Sequence, residues 1–158
     1  MITIKPDFEI LINDSVTTKD IGHTIIYKLK DGTLVIKSAD NHTYSVEDIK
    51  VIYQVMKDLS DGQKTYNLNV LGEYTGVEPD VRAFSSKGPH KDMVAAETFV
   101  ISSVAQKILA NFYIKIDKPL VKSAFFNNIN SAKEWLIKQK EDDATNTVQP
   151  IVDKTRSI

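Results

Sequence analysis

The sequence predicts a single α/β domain with a mixed sheet, an antiparallel ribbon at its N-terminal edge and about four helices. Three observations predict it. Apolar residues alternate on both sides of Asp31-Gly32, a dipeptide that favours the positive φ angles of a tight hairpin. Two serine-led capping boxes open segments with apolar residues at three- and four-residue spacing. Beyond residue 45, strand-like and helix-like stretches alternate, which implies crossover connections and a parallel portion of the sheet.

Residues 7–12, rich in Phe, Ile and Leu, read as a first strand, and the polar stretch 13–20 reads as a loop. In the ribbon that follows, a two-residue Asp31-Gly32 turn would set Leu29 opposite Leu34 and Tyr27 opposite Ile36 on one face. Asp40 to Thr43 is a loop. Ser45 and Asp48 form the first capping box, opening a helix over 46–59 that carries Ile49, Ile52, Tyr53 and Met56 and ends at Ser60-Asp61-Gly62. Residues 65–71 are a strand. Pro79 starts a short helix with Val81 and Phe84 on one face, ended by Gly88-Pro89. The apolar run 93–101 is a central strand covered on both faces, with Glu97 as its exception. Ser103 and Gln106 make the second capping box, and Val104, Ile108 and Phe112 form the stripe of the helix behind it. Asp117-Lys118-Pro119 breaks that helix. A strand over 121–126 follows, then a last helix capped by Asn130 with Ala132, Trp135, Leu136 and Gln139 inward. Residues 1–140 read as one domain, and 141–158 as a polar, mobile tail.

Composition narrows the functional classes. The 158 residues are 42% hydrophobic and 26% charged, enough for one core without staples. No cysteine is present, which excludes disulfides, thiolate ligands and a cysteine nucleophile. A formal net charge of −1 gives little counterion release on DNA or RNA, so nucleic acid is not an expected partner. No apolar run reaches the roughly 20 residues of a membrane span, and the first residues do not read as a signal peptide. A cytoplasmic setting is expected.

The stretch from Ala95 to Leu136 carries a resemblance. A buried strand (Ala95 to Ile101) leads to a Ser-capped helix ending Asn111-Phe112-Tyr113. Then come Lys118-Pro119, a strand to Phe125-Phe126, and a closing Trp135-Leu136. Together with the 67–71 strand and Arg82-Ala83-Phe84, these residues resemble uncharacterised bacterial proteins of the SpoIIAA-like, STAS-type fold, over roughly residues 22–140. The resemblance implies a non-enzymatic regulatory or protein-interaction module, without cofactor. Classical members of the fold are anti-sigma-factor antagonists in which a serine between a strand and the next helix is phosphorylated to switch partner binding. The corresponding segment here is Gly72-Glu73-Tyr74-Thr75-Gly76-Val77, which lacks that serine and leaves Thr75 as the residue that could take the phosphate.

The candidate interaction or switch residues are therefore Glu73, Tyr74, Thr75, Gly76 and Arg82. Thr75 is set against the plain reading of a Thr-Gly turn, and Glu73 with Arg82 against a solvated acid and a surface arginine. Glu97 or Glu73 could serve an acid/base enzyme if buried in a pocket; the plain reading puts Glu97 at a solvent end or against a lysine. A small apolar, acyl or lipid-like ligand between sheet and helices is the alternative function. His23, His42 and His90 lack metal-ligand spacing, so no metal is expected. Phe125 and Phe126 must point to opposite sheet faces, which suggests one under a helix and one at a subunit contact. A homo-oligomer, a dimer first, is expected, with another protein as a possible partner.

Overall fold

A computed structural model of the chain describes residues 5–156, with side chains through residue 146. The expectation for the first residues of the chain lies outside the described part, as do the last two residues of the expected tail.

The first segment is a helix, not a strand. Helix α1 (Pro6–Ile12) starts with proline at N1, where the missing N–H costs nothing. Phe8 and Leu11, three apart, bury on one face. The expected loop is in turn an edge strand, β1 (Ser15–Asp20), antiparallel to β2 (Thr24–Leu29). Its residues are largely exposed, which is why its polarity hides it; Lys19 is the kind of charge that blunts a sheet edge.

Strands β2 and β3 (Leu34–Ser38) form the predicted ribbon in a different register. Lys28, Tyr27 and Ile26 pair with Leu34, Val35 and Ile36. The turn has three residues: the Leu29 amide donates to Thr33 O at 2.9 Å, the Gly32 amide to Leu29 O at 3.0 Å, and Gly32 takes φ +89°. That is the loop closed by a glycine in the left-handed region rather than the two-residue turn. A one-residue slip moves side chains to the other face. Ile36 thus joins Ile26 and Leu34 in one core cluster, while Tyr27 joins Val35 in the other.

Helix α2 (Val46–Leu59) has the predicted bounds. The Ser45 hydroxyl accepts from the Asp48 amide and the Asp48 carboxylate from the Ser45 amide, both at 3.1 Å. Ser45→Ala should lower stability by about 1 kcal/mol in urea unfolding; an unchanged midpoint would remove the cap from the account. Two-residue strands β4 (Thr43–Tyr44) and β6 (Gly76–Val77) pair in parallel beside the main sheet. Strand β5 is Thr65–Val70, helix α3 Pro79–Ser86, strand β7 Val94–Val100 and helix α4 Val104–Phe112. A wider π-helical turn over Tyr113–Asp117 ends at Lys118 with φ +49°, and strand β8 is Lys122–Phe126.

Helix α5 (Ile129–Arg156) is capped by Asn128, whose side-chain oxygen accepts from the Ser131 amide at 2.8 Å, two residues before the expected cap. It also runs past 140, where a tail was expected. Lys140 Nζ reaches Asp31 and Thr33 on the hairpin turn, and the Tyr66 hydroxyl donates to Asp143. Burial and that carboxylate push the Tyr66 phenol up to about 12.

The main sheet has the order β1-β2-β3-β5-β7-β8. Its first two pairings are antiparallel and its last three parallel. The mixed sheet with an antiparallel ribbon at one edge is therefore the observed class, with five α-helices among the described residues where about four were expected. Helices α1 and α5 cover one face through Phe8, Leu11, Ile129, Ala132 and Leu136; α2 covers the other through Ile52, Met56 and Leu59. No helix among the described residues is long and apolar enough to cross a membrane.

Candidate functional site

On the α2 face, alternate residues of the parallel strands form two rungs: Leu34-Asn67-Glu97-Ser123 and Ile36-Asn69-Phe99-Phe125. Three helices close over them without filling the space. A cavity of about 180 Å³ remains, its floor formed by Ile36, Asn69, Glu97 and Phe99. Its walls come from Ile52 and Tyr53 of α2, Val81, Arg82 and Ser85 of α3, and Leu109 and Ala110 of α4. The lining is mostly apolar and aromatic, and Phe99 stacks on Phe125 with centroids 4.7 Å apart.

The floor holds a buried polar pair. Glu97 is 6% exposed, and the plain expectation of a solvent-end or lysine-paired carboxylate is corrected: its partner is His90. His90 is 0% exposed, and its Nε2 lies 3.2 and 3.1 Å from the two carboxylate oxygens. Its Nδ1 has no hydrogen-bond partner among the described residues. The imidazole stacks on Tyr53 at 4.6 Å. Burial, and then the Glu97 charge, push the Tyr53 and Tyr113 phenols up, so both stay protonated donors. The arrangement is a carboxylate held in an apolar cavity by one imidazole, with two phenols beside it. Sequence spacing did not mark His90. The usable signal was Glu97 itself, since a charge in a doubly covered strand requires a buried partner.

The sequence-derived residues fall in several places. Thr75 is buried, and its hydroxyl donates to Ala39 O at 2.7 Å. A phosphate there would have to break that bond and open the segment. Thr75 and Gly76 line the cavity, and Gly76 sits in β6. Tyr74 is exposed with φ +57°. Arg82 is half-buried on the cavity wall, 3.2 Å from Asp117 and over the Phe112 ring. Glu73 lies at a separate crevice on the other side of the sheet, so Glu73 and Arg82 do not share a site. Phe125 lines the cavity and Phe126 packs toward Trp135. The α4 stripe points outward: Val104 is 77% exposed, with Ile108 and Phe112 about half exposed, while Gln106 and Ala110 face in.

His23 and His42, distant in sequence, stack at 5.0 Å beside Asp48. No group of three or more His, Asp or Glu among the described residues is placed to hold a metal ion. Burial raises the Asp48 pKa, but the Ser45 amide and His42 outweigh it, and the net shift is downward. A carboxylate depressed in the fold adds stability that is complete above the unfolded pKa of about 3.9 and is lost as pH falls through the folded value. The stability gap between wild type and Asp48→Asn should therefore be widest above about pH 4 and close toward pH 2. A gap independent of pH in urea titrations would contradict this.

The family described as a domain of unknown function (DUF7793) matches residues 27–140. The chain belongs to the DUF7793 family. Comparison with curated proteins and with solved structures gave no match. The DUF7793 segment begins inside β2 and ends within α5, so the cavity, its His90–Glu97 floor and all three covering helices lie inside it.

Proposed function

We propose that this DUF7793 domain is a cytoplasmic binder of a small, largely apolar ligand held between sheet and helices. The observation that carries the reading is the cavity of about 180 Å³ with one buried carboxylate in an otherwise apolar and aromatic lining. Binding sites commonly pair such a lining with a few placed polar groups. The ligand's body would lie against Ile52, Phe99 and Leu109, and a hydrogen-bond-donating group against Glu97. A like-charged carboxylate head facing Glu97 would be repelled, so an acyl ligand would have to enter tail first, with its head toward Arg82.

Native mass spectrometry on gently purified protein should show a retained small molecule or, after stripping, saturable uptake of the fluorescent probe anilinonaphthalene sulfonate at one site. Ala110→Trp fills the cavity from α4 and should weaken that uptake by at least about tenfold, equivalent to 1.4 kcal/mol. Equal uptake by both proteins would sink the reading.

A second reading, a regulatory or interaction module of STAS-type fold, is favoured by the outward stripe of Val104, Ile108 and Phe112. In this reading the stripe packs against the same stripe of a second copy of this chain about a two-fold axis. A strictly monomeric species at high protein concentration would overturn it. An acid/base enzyme built on Glu97 remains a third reading, supported by the hydrogen-bonded imidazole. It requires turnover that Glu97→Gln abolishes.

A further inference from the structure

The opposite face of the sheet holds a charge in an apolar row. Lys37 on β3 belongs to the rung Ile25-Lys37-Val70-Val100-Phe126, in which every other member is apolar. It is 4% exposed, and its ammonium donates one hydrogen bond to Ser38 O at 3.2 Å. Above it, at the carboxyl ends of the parallel strands, opens a crevice of about 140 Å³. Open α/β sheets place ligands outside the carboxyl ends of their strands. The crevice floor is Lys37, Val70 and Val100, and its rim carries Ser102, Asn127 and Asn128.

We propose that Lys37 is a carbonyl-reactive amine and that this crevice takes a small hydroxylated aldehyde or ketone, held as an imine. The lysine nitrogen adds to the carbonyl carbon to give a carbinolamine. The carbon–oxygen bond then breaks, and both amine protons leave with that oxygen as water, so no oxidant or reductant is needed. The polar rim of Ser102, Asn127 and Asn128 suits the hydroxyl groups of such a ligand.

The surroundings of Lys37 favour loss of its proton relative to a solvated lysine. Burial disfavours the ammonium, Asp40 and Glu73 pull the other way, and Lys5 pushes with burial; the net shift of the Lys37 pKa is downward. Asp7 also lines the crevice. Three acids around two lysines make the place unwelcoming to an anion, which separates it from a phosphate or carboxylate site. Desolvation beside apolar groups is a known way to activate a lysine.

The test uses the full chain with glycolaldehyde and cyanoborohydride at neutral pH, followed by peptide mass mapping. Lys37 should be trapped several-fold faster than the exposed Lys57 and Lys64. Its lead should shrink as pH rises toward the ordinary lysine value of about 10.4. In Lys37→Arg, which keeps the buried cation but forms no imine, the fast phase should vanish. Trapping of Lys57 and Lys64 as fast as Lys37 in the wild-type chain overturns the proposal, whether or not the variant folds. The crevice is on the other side of the sheet from the cavity, so either result leaves the ligand-binding reading to its own test.

Discussion

His90→Ala should destabilise the domain by about 3–5 kcal/mol in urea unfolding, because it strands a buried carboxylate. Glu97 sits in the floor of an apolar cavity, and His90 Nε2 is within 3.2 Å of both its oxygens. Taking the imidazole away also removes a ring packed on Tyr53. Glu97→Ala should be costly for the converse reason, since His90 would keep a polar ring in a fully buried place. The double replacement His90→Leu with Glu97→Met should cost less than either single change, because an apolar pair needs no partner. If the loss in the double variant His90→Ala with Glu97→Ala equals the sum of the two single losses, the residues are not acting as a pair.

Gly72→Ala should cost about 1–3 kcal/mol. A Cβ built on Gly72 would come within 2.6 Å of Asp40 Oδ1 and 2.7 Å of the Ala39 carbonyl carbon and oxygen. The Asp40 side chain could shift, but the Ala39 backbone cannot, because the Thr75 hydroxyl and the His23 carbonyl hold it from two sides. The effect should extend beyond stability. Gly72 O accepts from Gln106 Nε2 at 3.1 Å, and Thr75 O accepts from the same nitrogen at 3.0 Å. Pushing the backbone away detaches the cavity's rim from α4, so probe uptake should weaken in the same variant. Full uptake with lowered stability would mean that the rim is not held through Gln106.

Residues that act locally were readable. The Ser45–Asp48 box and the Ser103 cap depend on neighbours a few positions apart, and both helices begin where those serines indicate; the expected second box is only half present, because Gln106 Oε1 accepts from the Ser102 amide and not from Ser103. The central strand of β7 announced itself by a continuous apolar run. Errors arose where tertiary pairing decides. The residues 7–12 have the composition of a strand, yet Pro6 at N1 and the Phe8–Leu11 spacing make a helix once α1 has a sheet face to cover. Strand β1 draws its regularity from β2, not from its own polar residues. The α4 stripe misled because the helix turns a different face to the cavity: Gln106, Leu109 and Ala110 line it, while Val104, Ile108 and Phe112 look outward. The candidate site was half visible. Glu97 stood out as a charge in an apolar strand, whereas His90 reaches it only through the turn after Gly88, which no spacing rule describes. Lys37 passed unnoticed because its apolar row runs across strands rather than along one.

Helix α1 also bears on where this domain can be cut. The family match starts at residue 27, downstream of α1, β1 and the first half of β2. Yet Phe8 and Leu11 belong to the same buried cluster as Val35, Leu68 and Leu136. A fragment excised at the limits of the match would leave that cluster open on one side and β3 with half a partner. The unit that folds is longer than the unit that is recognised, and any shortened version of the protein should keep the chain from residue 5.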